Sequence, residues 1–147
     1  VTPIMMAEMY GRLFSMHPDY HANVIENTKP FTCQWNDPSM FSFYKQNLFG
    51  PMNHCSTIGT ANILKQVNHT GYYLYAKTGT LLGEGSNRDD KMLAVIITNK
   101  DVTQVQSPDN YKFFVIYFRF KQAHDMPGEV VNIRDKIIQS KSFQDYM

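Results

Sequence analysis

The sequence predicts an α+β domain in which helices pack on an antiparallel sheet. Apolar residues recur at helical spacing up to about residue 67, and from Tyr72 onwards aromatic and β-branched residues typical of strands take over. The three predicted strands are joined by polar connections that contain no helix pattern, which favours an antiparallel meander. A last amphipathic segment predicts a C-terminal helix.

The first predicted helix covers residues 2–16. Thr2 is a good N-cap, and Pro3 suits the first helical turn, where its missing N–H is no loss. Pro18 is expected to end this helix, because a proline disfavours helical backbone at the residue before it. The following stretch, 19–38, is interpreted as a loop with a short strand.

Two more helices are predicted before the sheet. One covers 39–49 and is expected to stop at the Gly-Pro pair of residues 50–51. The other covers 57–67, with Ser56 or Thr57 as its cap.

The strands are predicted at 72–80, 92–98 and 111–120. The middle strand is continuously apolar, which indicates that both of its faces are covered. A loop at 82–90, with two glycines and three acids, joins the first two strands.

The final helix is predicted over residues 128–147 on the spacing of its isoleucines and valine. The expected core-facing residues are Val130, Ile133, Ile137 and Ile138, and the expected solvated ones are Arg134, Asp135 and Lys136.

The composition excludes two classes of function. With 14 Lys+Arg against 13 Asp+Glu, the formal net charge is +1, so no phosphate-neutralising surface and no nucleic-acid partner are expected. Apolar runs such as 92–97 are far shorter than the roughly 20 residues that span a bilayer. The chain begins at Val1 without a signal segment, which favours an excised or processed piece.

The strongest candidates for a functional site are Lys77, Thr78, Gly79 and Thr80, at the end of the first predicted strand. A lysine ammonium at a strand edge places positive charge beside a reacting serine and a substrate carboxylate. Threonine hydroxyls can bond that carboxylate, and a glycine lets a peptide lie against the strand. The same residues could also be a solvated strand end before a turn.

Two other segments match a family that carries this triplet. The segment from Val1 to Leu13 resembles the Thr-Pro-hydrophobic-x-Met-Ala-x-x-Tyr helix of penicillin-binding transpeptidases. Gly59-Thr60-Ala61 resembles the Gly-Thr-Ala on the helix before their Lys-Thr-Gly strand. The chain therefore resembles the C-terminal portion of a penicillin-binding protein transpeptidase domain, within the serine β-lactamase and D,D-peptidase superfamily.

The resemblance implies a partial penicillin-binding, β-lactamase-like fold over residues 1–147. In that family a serine attacks the penultimate D-Ala carbonyl of a peptidoglycan stem peptide, and the acyl-enzyme passes to an amine of a neighbouring stem. β-Lactams acylate the same serine. If the family's roles apply to the matching positions, Lys77 and Thr80 are the catalytic candidates. Lys77 would act electrostatically, and the Thr80 N–H would donate to the oxyanion. Thr78 and Thr80 would bind the carboxylate, and Gly79 would keep the edge open; Lys77, Thr78, Gly79 and Thr80 together form the expected substrate-binding strand.

The resemblance also implies partners and a location. Stem peptides and β-lactams are the expected ligands of the intact parent, and neither a cofactor nor a metal is expected. The parent would act on the extracytoplasmic or periplasmic face of a bacterial cell, attached to the membrane by a segment outside this sequence. The missing N-terminal part of the same domain is an expected partner, and exposed strand surface makes self-association an expectation.

The family's nucleophile is not found in this sequence. Ser42-Phe43-Tyr44-Lys45 matches Ser-x-x-Lys, but it follows the Thr-Pro helix, which inverts the family order. No Ser-x-Asn or Tyr-x-Asn occurs, so the isolated chain is expected to be inactive while its parent is a serine D,D-transpeptidase. The alternatives are a serine β-lactamase or D,D-carboxypeptidase, or a non-catalytic β-lactam-sensing or accessory module.

Other candidate sites have weaker patterns. Pro18 interrupts the helical spacing of His17 and His21, and no Cys-x-x-Cys supports zinc at Cys33, His54 and Cys55. The two cysteines could pair or remain free thiols. The remaining candidates are the acids Glu84, Asp89 and Asp90, interpreted as solvated loop residues, and the aromatics Trp35, Tyr72, Tyr73 and Tyr75, interpreted as packing with a possible share in a substrate groove.

Overall fold

A three-stranded antiparallel sheet packs against helices, which confirms the predicted α+β class. The strands lie in chain order, so the predicted meander is also confirmed. The expectations for Pro18 and for the loop before residue 38 lie outside the described residues. The computed structural model describes residues 2–16, 38–66, 71–82, 89–123 and 125–147.

Helices precede, connect to and follow the sheet in the chain. The elements are α1 (Pro3–Ser15), α2 (Pro38–Tyr44), a π-helical turn (Lys45–Phe49), α3 (Gly50–Thr57), a 3₁₀ turn (Asn62–Gln66), β1 (Tyr73–Leu81), β2 (Asp89–Thr98), a second 3₁₀ turn (Pro108–Asn110), β3 (Phe113–Ala123), α4 (Glu129–Gln139) and α5 (Lys141–Tyr146).

The start of α1 follows the sequence expectation. The Met5 N–H donates to the Thr2 hydroxyl at 3.3 Å, so Thr2 is the N-cap, and proline occupies the first turn. Tyr10 and Phe14 are buried, and Phe14 packs 4.4 Å from the Phe49 ring, measured between centroids. This contact joins α1 to the π-helical turn on one face of the sheet.

Both faces of the sheet are covered, as the apolar run of β2 predicted. Residues 93–98 are all buried, because alternate side chains enter different cores. One core lies under α1, and the other lies under α4 and α5. The first core includes Tyr10, Phe14, Phe41, Phe49, Tyr75, Ala94 and Ile96, and the second includes Ala61, Leu64, Ala76, Leu93, Val95, Ile97, Val130, Ile138 and Phe143.

The prediction that the second helix stops at Gly50 and Pro51 is wrong. The chain remains helical through a π-helical turn, in which the Gly50 N–H donates to the Lys45 carbonyl, and continues as α3. Pro51 falls in the first turn of α3, directly after the π-helical turn, so the proline does not end the helical stretch. The expected helix over 57–67 is reduced to a 3₁₀ turn, and Ser56 belongs to the end of α3 rather than capping a new helix.

The predicted C-terminal helix is divided at Ser140. The Ser140 backbone is extended and its hydroxyl accepts from the Phe143 N–H at 3.3 Å, so it caps α5. The orientation predicted for α4 is wrong at two positions: Ile133 is 40% exposed, and Arg134 is fully buried. The buried stripe follows a spacing of four residues through Val130, Arg134 and Ile138.

The buried guanidinium of Arg134 is paired inside the second core. Its Nη1 donates to the Leu64 carbonyl, and its Nε donates to Asp135 Oδ1 at 2.9 Å. A buried charge needs such partners to offset its desolvation. Arg134 therefore ties α4 to the 3₁₀ turn that leads into β1.

Candidate functional site

The two halves of β1 have different surroundings along the outer edge, the edge that does not pair with β2. The Leu74 carbonyl accepts from Asn53 Nδ2 at 3.0 Å and from the Ser56 hydroxyl at 2.8 Å, so α3 covers this edge at Leu74. In an antiparallel pair, residues alternate between bonding the partner strand and pointing away from it. The backbone groups of Thr78 and Thr80 therefore point to the same outer edge as the Leu74 carbonyl.

The turn after α3 lies against Thr78. The Thr60 and Thr78 hydroxyl oxygens are 2.7 Å apart, within hydrogen-bond distance. Thr60 also lies 3.5 Å from the Cys55 sulfur. The structure thus brings together the Gly-Thr-Ala and Lys-Thr-Gly segments, which are separated by 18 residues at this pair of threonines.

Gly59 is required by the tightness of that turn. A Cβ on Gly59 would lie 2.9 Å from the Cys55 Cα, closer than side-chain atoms come to a backbone. The Gly59 and Ile58 N–H groups both donate to the His54 carbonyl, which closes the end of α3. A glycine here lets the chain reverse quickly enough to place Thr60 beside β1.

Lys77 places its ammonium at the outer edge. Its side chain is exposed, and Nζ donates to the Thr78 carbonyl. Because that carbonyl points away from β2, the positive charge lies at the outer edge, at the backbone of Thr78. A carboxylate approaching this edge would meet a cation and one free hydroxyl donor, because the other hydroxyl of the Thr60–Thr78 pair donates within the pair.

A second cation lies near the end of β1. Lys91 is directly opposite Thr80 in the register, and its Nζ donates to the Thr80 hydroxyl at 3.4 Å. Asp89 is 3.7 Å from the same Nζ, and Asp90 pairs with Arg119 at 2.8 Å. Of the charges described at this end of β1, Lys77 is the cation without a carboxylate partner, which favours an anionic ligand.

Gly79 lies between the two threonines with its Cα facing Met92. A Cβ there would meet only the Met92 side chain, at 3.3 Å from Cε and 3.6 Å from Cβ. The side chain of Met92 is flexible, so this glycine is not forced by packing. Its value at the edge is that it leaves the backbone open to an extended ligand.

Sequence reasoning missed three side chains of this edge: Asn53, Ser56 and Lys91. Lys91 had a usable signal, because a hairpin register that pairs the first two predicted strands places it opposite Thr80. The two α3 side chains had none, since the sequence predicted a break in the helix that carries them.

The remaining expected candidates are not brought to this edge. Asp89 and Asp90 lie in β2 rather than in a solvated loop, and each pairs with a cation. Tyr73 is 42% exposed, whereas Tyr75 is buried. Tyr72 packs against Phe143. Outside the described residues lie His17, His21, Cys33, Trp35 and Glu84.

Ser42 and Lys45 lie in a different part of the molecule. They line a cavity beside the π-helical turn, and Lys45 Nζ donates to the Val105 carbonyl at 2.8 Å. The ammonium is thus hydrogen-bonded to the backbone at Val105, and no hydrogen bond to Ser42 is among its described contacts. Cys55 is a free thiol. Within the described ranges there is no cluster of three metal-binding side chains and no helix long and apolar enough to cross a membrane.

Tyr75 fixes the covered half of β1. Its hydroxyl donates to Asp101 Oδ1 at 3.1 Å and accepts from the Val102 N–H at 2.8 Å. Burial, followed by the nearby charge of Asp101, raises the pKa of Tyr75 well above its ordinary value. The strand that carries the candidate site is therefore held rigidly just before Lys77.

No family model matches the chain, and comparisons with curated proteins and with solved structures found no match either.

Proposed function

We propose that this chain forms part of a penicillin-binding D,D-transpeptidase domain and supplies its substrate-binding strand. The observation that carries the proposal is the contact between Thr60 and Thr78 at an outer strand edge beside the Lys77 ammonium. Two motifs that resemble one family, 18 residues apart at these threonines, meet there. The Thr-Pro start of α1 is a third segment that resembles the same family.

In this proposal the edge binds the C-terminal carboxylate of a stem peptide or the carboxylate of a β-lactam. Lys77 supplies the charge, and the hydroxyls of Thr78 and Thr80 supply hydrogen bonds. The Thr80 N–H points to the outer edge, where it can donate to the oxyanion that forms as the carbonyl is attacked. Lys91 orients the Thr80 hydroxyl from the neighbouring strand.

The nucleophilic serine belongs, in this proposal, to a segment outside this sequence. Ser42 is unsuited to the role, because its motif lysine is bonded to Val105 and both residues line another cavity. We expect a fluorescent penicillin to leave the isolated chain unlabelled. Covalent labelling at any serine of the chain would overturn this assignment of the nucleophile.

Ligand binding at the edge can be tested without the nucleophile. We expect an N-acylated D-Ala-D-Ala peptide to shift the amide NMR signals of residues 77–80, and the peptide amide to shift them less, because it lacks the carboxylate. Lys77→Met should weaken peptide binding about tenfold, as expected for the loss of one charge-assisted contact. The matched control is Lys121→Met, an exposed lysine on β3; equal weakening by both variants would contradict the proposed site.

A β-lactamase, a D,D-carboxypeptidase or a β-lactam sensor of the same fold would use the same strand. We favour the transpeptidase because Thr80 follows the triplet and a Thr-Pro helix begins the chain, as in the biosynthetic enzymes. Joining the chain to its natural upstream sequence and measuring crosslinking of stem peptides tests this choice. Hydrolysis without crosslinking would support the hydrolases, and acylation without turnover would support the sensor.

A further inference from the structure

A cavity of about 450 Å³, open to the surface, lies beside the π-helical turn, and neither Lys77 nor Thr78 is among its lining residues. Its size is that of a small-molecule site. A π-helical turn is uncommon in proteins and often occurs at functional sites. The polar side chains that line this cavity are Ser42, Lys45, Gln46, Asn53, His54 and Thr103.

The charge of the lining is one-sided. Lys45 is a cation, and the lining includes no carboxylate among the described residues. Lys45 is held in place by its bond to the Val105 carbonyl and by the Phe41 ring, whose centroid is 5.2 Å from Nζ. An ammonium has three donors, so two remain for a ligand.

Asp101, which is bonded to the lining residue Thr103, already accepts several hydrogen bonds from the protein. Asp101 Oδ1 accepts from the Tyr75 hydroxyl, from the Thr103 N–H at 3.0 Å and from the Thr103 hydroxyl at 2.7 Å. These three donors are neutral, and they hold the carboxylate oxygen at Tyr75 and Thr103. The cavity therefore contains a fixed positive charge without a carboxylate partner in its lining.

We propose that this cavity binds a small oxyanion, a carboxylate or phosphate group. Lys45 supplies the charge, and His54, Gln46 and the Ser42 hydroxyl supply further hydrogen bonds. Asn53 lines the cavity while its Nδ2 donates to the Leu74 carbonyl, so the site adjoins the covered half of β1. This proposal is independent of the ligand bound at Lys77.

The test is an NMR titration of the whole chain with inorganic phosphate and, separately, with acetate, at constant ionic strength. We expect saturable shifts of the amide signals around Lys45, His54 and Thr103 with at least one anion, and the tighter of the two identifies the chemistry of the ligand. Sodium chloride at the same ionic strength should leave these signals unchanged. Shifts confined to residues 77–80, or no saturable shift at all, would overturn the proposal.

Variants assign the binding to the cavity. Lys45→Met should weaken anion binding about tenfold, and the exposed Lys136→Met on α4 should leave it unchanged. If Lys45→Met fails to fold, His54→Ala decides, because His54 is exposed and its removal leaves the Lys45 contacts intact. Unchanged affinity in the folded variant would place the anion elsewhere and overturn the assignment.

Discussion

The two halves of β1 share one strand but differ in their surroundings. In the first half, Tyr75 and Ala76 are fully buried in the two cores, and α3 covers the outer edge at Leu74. In the second half, Lys77 and Thr80 are exposed. Side-chain contacts there come from Thr60 in the turn after α3 and from Lys91 on β2.

The difference separates residues that hold the strand from residues that can meet a ligand. Burial and hydrogen bonds fix the first half, so the backbone of the second half leaves the core in a defined direction. A binding edge gains affinity when it is rigid before the ligand arrives. We expect substitutions in the first half to change the free energy of unfolding and those in the second half to change binding.

The largest expected effect is on Tyr75. Tyr75→Ala removes a fully buried ring that packs edge-on against Phe14 and leaves the buried Val102 N–H without its acceptor. We expect a loss of about 3–5 kcal/mol in the free energy of unfolding, measured by urea denaturation. The matched control is Tyr73→Ala, two residues earlier and 42% exposed, which should cost less than about 1 kcal/mol. Similar losses in both variants would contradict the distinction within the strand.

Much of this architecture could be predicted because local rules and tertiary packing agree. The Thr2 cap, the three strands and the double burial of β2 depend on capping chemistry and on periodicity, which short sequence windows contain. For Thr60 and Thr78, the sequence predicts the order of the two motifs along the chain but not their contact in space. Their hydroxyl contact depends on the tight turn at Gly59, which the sequence does not specify by pattern.

The errors arise where tertiary context outweighs a local signal. A Gly-Pro pair is a common helix stop, but here Pro51 begins a new helix directly after a π-helical turn. An arginine in an amphipathic helix usually faces solvent, but Arg134 is buried, with Nη1 donating to the Leu64 carbonyl and Nε to Asp135. Its Nη2 lies 2.8 Å from Asp135 Oδ1 without a well-aligned hydrogen bond. Leu64 is 70 residues away in sequence, so a local pattern does not contain it.

A double-mutant cycle tests how α3 holds the first half of β1. Asn53→Ala and Ser56→Ala each remove one donor to the Leu74 carbonyl and should each cost about 1 kcal/mol of stability. The double variant should cost more than the sum, because the carbonyl then loses both protein donors. The free energy of unfolding of the parent chain, the two single variants and the double variant is measured by urea denaturation without added phosphate. Strict additivity would show that the two donors do not act on the same group.

The free energy of unfolding should fall at alkaline pH, whereas the buried tyrosines give it no pH dependence near neutrality. Burial raises the pKa values of Tyr75 and Tyr111, so both hydroxyls stay protonated in the folded chain at pH values where the unfolded chain ionises. Their contribution to stability is fully present below the unfolded pKa of about 10 and is lost as pH rises through the folded pKa values. Unfolding in urea at increasing pH should show this decline, and Tyr75→Phe should make it shallower. An unchanged slope would contradict the role of Tyr75.

The smallest expected effect on stability is in the open half of the strand, at Gly79. Gly79→Ala adds a methyl group that meets only the Met92 side chain, whose Cε lies 3.3 Å away and can move. We expect the free energy of unfolding to change by less than about 0.5 kcal/mol, as for other surface substitutions.

Binding of the N-acylated D-Ala-D-Ala peptide should nevertheless weaken with Gly79→Val, because the branched side chain would stand at the edge that the peptide follows. If Gly79→Val binds the peptide as tightly as the parent chain while remaining folded, the ligand does not lie along this part of β1. If instead Gly79→Ala alone is strongly destabilising, the second half of β1 is packed more tightly than its exposure indicates, and the distinction between the two halves fails.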